Sequence, residues 1–79
     1  MNLKNLILNV LKACGSYALT KTPLKIEVQT QAGGLIGDGE FSDALVFLKG
    51  KGWIDTRIDD MTGDTRYFIT ERGRTRCAQ

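Results

Sequence analysis

The segment from Trp53 to Thr70 constrains the fold most, because its pattern predicts a β-hairpin. Apolar or β-branched residues occupy every second position on both sides of a stretch rich in turn-forming residues, Asp59–Asp64. This period of two is typical of a strand with one buried face. The alternating residues are Ile54, Thr56, Ile58, Thr65, Tyr67 and Ile69.

The same alternation predicts the register of the hairpin. Matching apolar positions pairs Ile54 with Ile69, Thr56 with Tyr67 and Ile58 with Thr65, and the face they share should pack on the rest of the fold. The opposite face then carries Trp53, Asp55, Arg57, Arg66 and Phe68. Arg57 and Arg66 lie directly opposite each other, which is unfavourable unless a phosphate or a nearby carboxylate neutralises them. The candidate carboxylates are Asp55, Asp59 and Asp64.

Two amphipathic helices precede the hairpin. Apolar residues recur at helical spacing over roughly residues 3–14 and again over roughly residues 39–50, where Asp38 is the expected N-cap and Gly50 and Gly52 close the helix. The glycine-rich stretch 32–39 between them predicts a loop, with Leu35 and Ile36 turned inward. The two faces consist of Leu3, Leu6, Ile7, Val10, Leu11 and Cys14, and of Phe41, Ala44, Leu45 and Leu48.

The segment 23–31 has two interpretations. Thr22 followed by Pro23 is typical of an N-cap and a first helical residue, which predicts a helix from Pro23 to about Gln31. Apolar and polar residues also alternate over this segment, as in a half-buried strand. The capping signal favours the helix.

Composition indicates one small domain without a membrane segment. The 79 residues carry 11 basic and 9 acidic side chains, a net charge of +2, which permits nucleic-acid binding without requiring it. The longest apolar run, Leu6–Leu11, is too short to span a bilayer. Two distant cysteines, Cys14 and Cys77, are typical of free thiols in a reducing compartment, so we expect a cytoplasmic protein.

The residue inventory argues against an enzyme. The chain has no histidine, which removes the usual activation of serine or cysteine nucleophiles and the usual zinc sites. The glycines at 33, 34, 37 and 39 are not followed by the Gly-Lys-Ser/Thr of a phosphate loop, and the acidic turn lacks the spacing of a calcium loop. We therefore expect no catalytic residue, metal or cofactor.

The order of elements and two local motifs resemble a known fold family. Leu45-x-x-Leu48-x-x-x-Gly52-Trp53-Ile54, and Arg66-Tyr67-x-Ile69-Thr70-x-x-Gly73 after the acidic turn, resemble winged helix-turn-helix regulators of the multiple-antibiotic-resistance type. The resemblance implies an α+β winged helix, with three helices followed by a two-stranded wing. It covers about residues 3–73 of a single domain over residues 1–79, and residues 74–79 are expected to form a basic tail. Counterparts of the flanking dimerisation helices of that family are missing.

The resemblance also implies where the chain would bind double-stranded DNA. The third helix would lie in the major groove and the wing would hold the phosphate backbone. The expected DNA-binding residues are Lys21, Thr22, Ser42, Arg57 and Arg66. A chain this short is expected to dimerise to gain specificity, because one module covers little DNA. These features predict a small DNA-binding regulator of transcription.

The third helix also supports a different hypothesis. It begins with Asp38, Glu40 and Asp43, which phosphates would repel, and Val46 and Phe47 place an apolar pair outside its buried stripe. Asp43, Val46 and Phe47 could thus form an interface with a protein partner or a second copy. Two further interpretations remain. Phe47 could cover the start of the hairpin or pack on the C-terminal tail, or the apolar pair could contact thymine methyl groups.

Overall fold

The computed structural model describes residues 3–14 and 18–77, without the side chain of Cys77. The strands form one antiparallel sheet with the order β1-β3-β2. Helices and sheet together make the α+β architecture that the sequence predicts. The elements are α1 (Leu3–Ala13), β1 (Leu19–Thr20), α2 (Lys21–Ala32), α3 (Asp38–Gly50), β2 (Ile54–Ile58), β3 (Thr65–Ile69) and α4 (Glu71–Cys77).

The core lies where the three longer helices meet the base of the hairpin. The predicted apolar face of α3 is buried there, as is that of α1 except for Leu3 and Cys14, which are only partly buried, and α2 contributes Leu24 and Val28. None of the helices in the described part of the chain is long and apolar enough to cross a membrane. The buried residues are Leu6, Ile7, Leu8, Val10, Leu11, Leu24, Val28, Phe41, Ala44, Leu45, Leu48, Ile54 and Ile69.

The predicted register of the hairpin is confirmed. Ile54 pairs with Ile69, and Arg57 lies opposite Arg66. The predicted burial of the shared face holds only at the base, because Ile58 near the tip is 66% exposed. Ile58 and Thr65, in the distal half of the hairpin, line an open groove beside α3 instead of the core.

Helix α2 confirms the helical interpretation of segment 23–31, and the strand alternative is wrong. The predicted start is also wrong, because the helix begins at Lys21 with Thr20 as its N-cap. Pro23 is thus the third helical residue. It still lies in the first turn, where a backbone N–H has no acceptor within the helix and its loss costs nothing.

Helix α3 begins one residue earlier than predicted. Gly37 is its N-cap, and Asp38 is its first residue instead of the expected cap. Its carboxylate bonds to Lys25 on α2. In the preceding loop Ile36 packs on the core as expected, whereas Leu35 is 95% exposed, so its predicted burial is wrong.

Two elements were not predicted. The two residues of β1 pair with β3, Leu19 opposite Tyr67 and Thr20 opposite Arg66, where the sequence indicated only a connection. Residues 71–77 form α4, so the expected basic tail after residue 73 is helical up to Cys77.

Helix α4 has a local cause in the residues that start it. The Thr70 hydroxyl accepts the N–H of Gly73 at 3.1 Å, which is an N-cap bond, and donates to the carbonyl of Gly52 at 2.6 Å. Gly73 is buried against the hairpin, and a Cβ there would overlap the Trp53 carbonyl oxygen and lie 2.8 Å from Ile69 Cγ1. Only glycine lets α4 approach this closely.

Candidate nucleic-acid interface

A groove separates α3 from one face of the hairpin. Its volume is about 410 Å³, and side chains of α2, α3, β2 and β3 form its walls. Two of the residues predicted to bind DNA, Lys21 and Ser42, lie in it. The lining residues are Lys21, Ser42, Leu45, Val46, Lys49, Thr56, Ile58, Thr65 and Tyr67.

Two lysines in this groove are held by hydroxyl groups. Lys21 Nζ donates to Ser42 Oγ at 2.6 Å, and Lys49 Nζ donates to Thr56 Oγ1 at 3.2 Å. A hydroxyl is neutral, so each ammonium group keeps its charge, and each has two further N–H donors. Within residues 3–14 and 18–77, neither lysine forms an ion pair with a carboxylate. The groove therefore presents two positioned positive charges.

Helix α3 separates its charges onto two flanks. Ser42, Val46 and Lys49 lie four and three residues apart, on the flank that faces the groove. Glu40, Asp43 and Phe47 line a different concavity, which Leu3, Lys4 and Ala44 complete. The acidic side chains at the start of α3 thus border the α1 side of the helix, away from the two lysines.

The remaining acidic residue at the start of α3 is neutralised. Asp38 accepts a hydrogen bond from Lys25, and that bond, the charge of Lys25 and, to a smaller extent, the charge of Lys21 hold the pKa of Asp38 below its ordinary value. Asp38 therefore opposes a polyanion less than the sequence alone suggests.

Phe47 contacts the start of the hairpin. Its ring lies 6.3 Å from the Trp53 ring in an edge-to-face arrangement, and the ammonium of Lys4 is 4.3 Å from its centroid. The interpretation in which Phe47 covers the hairpin start is confirmed, although the residue stays 41% exposed. Val46 is 71% exposed and lines the groove instead. The residues of the predicted protein interface, Asp43, Val46 and Phe47, therefore divide between two concavities.

Thr22 lies beside Lys21 at the start of α2. Both residues line a shallow concavity with Thr20, Asp64 and Thr65 at the distal part of the hairpin. The N-terminal N–H groups of a helix favour an anion at such a position. Asp64 is the nearby acidic group that opposes one.

The other two predicted residues, Arg57 and Arg66, lie on the opposite face of the hairpin. Arg66 Nε donates to Asp59 Oδ2 at 3.0 Å, and its Nη1 donates to the Ala18 carbonyl at 3.3 Å. The N–H of Met61 and the Arg66 side chain hold the pKa of Asp59 below its ordinary value. Of the three carboxylates that could neutralise the arginine pair, Asp59 therefore neutralises Arg66.

Arg57 is held by an aromatic ring instead of a carboxylate. Its guanidinium lies 5.3 Å from the centroid of the Phe68 ring on the neighbouring strand. Arg76 on α4 makes the same kind of contact with Trp53, also at 5.3 Å. This side of the molecule therefore carries two cation–π pairs, Arg57 with Phe68 and Arg76 with Trp53.

The predicted set of five residues thus divides into two surfaces. Lys21 and Ser42 line the groove and Thr22 lies beside Lys21 in the neighbouring concavity, whereas Arg57 and Arg66 lie on the far face of the hairpin. Sequence reasoning missed Lys49 and the two threonines, Thr56 and Thr65. The missed signal was helical spacing, because Lys49 extends the exposed stripe of Ser42 and Val46 by one further turn. The alternation predicts that Thr56 and Thr65 lie on a buried face. Beyond the base of the hairpin, this face lines the groove instead.

No protein-family model and no curated protein matches this sequence. Solved structures do match. A MarR-family transcriptional regulator from Silicibacter pomeroyi is similar over 96% of this chain and 46% of its own, with a TM-score of 0.77 and 24% identity. RosR from H. salinarum is similar over 99% of this chain and 67% of its own, with a TM-score of 0.81 and 23% identity.

A third match is close to this chain in size. F93 from STIV, described as a winged-helix DNA-binding protein, is similar over 94% of this chain and 77% of its own, with a TM-score of 0.78 and 24% identity. The chain spans less than half of the MarR-family regulator and about two thirds of RosR. At this identity the likeness shows a shared fold, which confirms the winged helix predicted from the sequence.

Proposed function

We propose that this protein binds duplex DNA through the groove between α3 and the hairpin and acts as a regulator of transcription. The observation that carries the proposal is the pair of groove lysines, each positioned by a hydroxyl and neither neutralised by a carboxylate. The printed descriptions of fold relatives as transcriptional regulators and a winged-helix DNA-binding protein support the same function.

The dimensions of α3 suit the major groove. A helix of 13 residues is about 20 Å long, and the major groove of B-DNA admits one α-helix. Gly39 and Gly50, near the two ends of α3, carry no side chain, and nothing lies within 4 Å of the position of a Cβ at either. The backbone of the helix can therefore approach the base edges closely.

Each groove residue has a chemical role in this proposal. Lys21 and Lys49 would contact phosphates, and Thr22 would add a hydroxyl and the N–H groups of the first turn of α2. Ser42 would bond a base edge, and the exposed Val46 would contact a thymine methyl group. The proposed function is binding alone, so we propose no catalytic role for any of these residues.

The test compares duplex binding by two charge variants. Lys21→Gln with Lys49→Gln removes both groove charges. Lys12→Gln with Arg74→Gln removes two charges elsewhere and leaves the pair of Lys25 and Asp38 intact. Fluorescence anisotropy on a mixed-sequence duplex should show a loss of about tenfold or more for the groove variant. Its log–log salt slope should fall by about 0.9 per phosphate contact removed. Equal binding by both variants would refute the groove as the DNA site.

The alternative function is a protein interface or homodimer through Asp43, Val46 and Phe47. The concavity beside Phe47, of about 470 Å³, is the observation that favours it. Sedimentation of wild type and Phe47→Ala, with and without duplex, separates the two functions. A dimer without DNA that Phe47→Ala dissociates supports the alternative. A monomer whose duplex affinity is unaffected by Phe47→Ala supports the groove.

A further inference from the structure

The hairpin has a second surface, which we call the outer face and define by Arg57, Arg72, Arg76, Trp53 and Phe68. Trp53 and Arg57 project on the same side of β2, and Phe68 lies opposite Asp55 on that side. Helix α4 adjoins it, because Gly73 packs on the carbonyl of Trp53 and Arg76 lies over the Trp53 ring. The face is thus one continuous surface made by the hairpin and α4.

The outer face concentrates positive charge. Its three exposed arginines outnumber the two carboxylates that adjoin it, Asp55 and Glu71. None of its three arginines forms an ion pair among the described residues. A polyanion is the ligand that this charge fits.

Aromatic rings distinguish this face from a simple basic patch. Trp53 and Phe68 are half-buried, so part of each ring is reachable from solvent. The rings already hold Arg57 and Arg76, which reduces the side-chain freedom that the two guanidinium groups lose on binding. A guanidinium fixed in this way offers donors for phosphate oxygens and a flat surface on which a base can stack.

We propose that the outer face is a second nucleic-acid site, which binds single-stranded DNA or RNA. An acidic peptide would engage the cations but would leave the rings unused. A duplex covers the faces of its bases, so it too would use only the cations. A single strand with unpaired bases uses both components, since its phosphates meet the cations and its bases stack on rings and guanidinium groups. This site goes beyond the proposed duplex function and does not depend on the groove.

The experiment measures binding of a fluorescein-labelled 15-nucleotide oligo-dT and of the mixed-sequence duplex by anisotropy. The outer-face variant is Arg57→Gln with Arg76→Gln, and the matched control is the groove variant Lys21→Gln with Lys49→Gln. The outer-face variant should lose about tenfold in affinity for the single strand. Its salt slope should fall by about 1.4, at about 0.7 per charge removed. The groove variant should keep its single-strand affinity within about twofold.

Two further readouts address the rings. Phe68→Leu keeps an apolar side chain but removes the ring. It should lower the affinity for the single strand by about fivefold or more. Trp53 is the one tryptophan of the chain, so its fluorescence should be quenched by the single strand without any label. Urea midpoints of the variants verify that each is folded.

Several outcomes would overturn the second site. They are no binding of oligo-dT at low salt, a greater loss in the groove variant than in the outer-face variant, displacement of oligo-dT by saturating duplex, and preference for a poly-glutamate peptide over oligo-dT. Loss of duplex binding alone tests the groove and leaves the single-strand measurement unaffected, so failures of the two proposals are distinguishable.

Discussion

The two faces of the hairpin hold their positive charges in different ways. On the groove side, hydroxyl groups of Ser42 and Thr56 hold Lys21 and Lys49. On the outer face, aromatic rings hold Arg57 and Arg76. Both arrangements position a cation without cancelling it. The comparison teaches that charge count is a poor guide in this chain, because the partner of each cation decides whether its charge is available.

Arg66 is the exception that sharpens this comparison. It lies directly opposite Arg57, yet Asp59 neutralises it and the Ala18 carbonyl accepts a further N–H. The two arginines would look equivalent in a list of basic residues. In the structure, one belongs to a binding surface and the other fastens the turn of the hairpin to the segment before β1.

The largest expected effect comes from detaching α4 from the hairpin. Gly73→Ala places a methyl group against the Trp53 carbonyl and Ile69, and should lower the free energy of unfolding by about 1–3 kcal/mol. Gly50→Ala is the matched control, because nothing lies within 4 Å of that Cβ position. It should be neutral or stabilising by up to about 1 kcal/mol.

Urea unfolding measures both glycine variants, and binding separates the two faces. Gly73→Ala should weaken the binding of oligo-dT, since Arg76 moves with α4. The affinity of the folded fraction for the duplex should stay near that of wild type. A Gly73→Ala protein as stable as wild type would contradict the close packing of α4.

A smaller loss is expected from Thr70→Val, which preserves shape and removes the hydroxyl. The variant loses the N-cap bond to Gly73 and the bond to the Gly52 carbonyl. The free energy of unfolding should fall by about 1–2 kcal/mol. Thr75→Val is a suitable control, because its hydroxyl bonds only to a carbonyl of its own helix, that of Glu71. Thermal unfolding followed by circular dichroism should show a larger fall in melting temperature for Thr70→Val than for Thr75→Val.

The smallest effect concerns the turn and depends on pH. The folded pKa of Asp59 lies below its ordinary value of 3.8, so its contribution to stability is present above that pH and is lost as the pH falls through the folded pKa. Asp59→Asn removes the charge that faces Arg66. The urea midpoint of the variant should be slightly below that of wild type at pH 6, and the difference should shrink as the pH falls through the folded pKa of Asp59, below 3.8.

Carboxyl chemical shifts in NMR provide the direct measurement for Asp59. Its titration should inflect below 3.8 in the wild-type protein, and Arg66→Gln should raise the inflection. An inflection that Arg66→Gln leaves unchanged would show that the backbone N–H groups of Met61 and Thr62 are responsible. The neutralisation of Arg66 would then be contradicted.

Sequence patterns predicted the elements with strong periodicity and missed those that depend on contacts between distant residues. The register of the hairpin and the faces of α1 and α3 follow from local spacing alone. The pairing of Leu19 with Tyr67 spans a long separation in sequence, so no local pattern reveals β1. The helix α4 did have a local signal, because Thr70 and Glu71 are typical of an N-cap and a first turn.

The candidate site was predictable in part for a related reason. Residue type identified Lys21, Ser42 and Arg57 as able to bind a polyanion. It could not tell which face of the hairpin each would reach, or that Asp59 would neutralise Arg66. Those outcomes depend on how far the packing of the hairpin against the helices extends. Ile58 lies beyond that packing and is exposed, so the burial that alternation predicts is wrong there.

The turn of the hairpin is closed from both ends before its tip begins. The N–H of Asp59 donates to the Asp64 carbonyl at 2.8 Å, and the N–H of Gly63 donates to the Asp59 carbonyl at 2.7 Å. Residues between these bonds are exposed, with Met61 at 92%. Extra residues inserted there would lengthen a closed loop, at an entropic cost of about 0.6 kcal/mol for each doubling of its length. The tip is therefore a position where a peptide tag or reporter can be inserted while both surfaces of the hairpin keep their geometry.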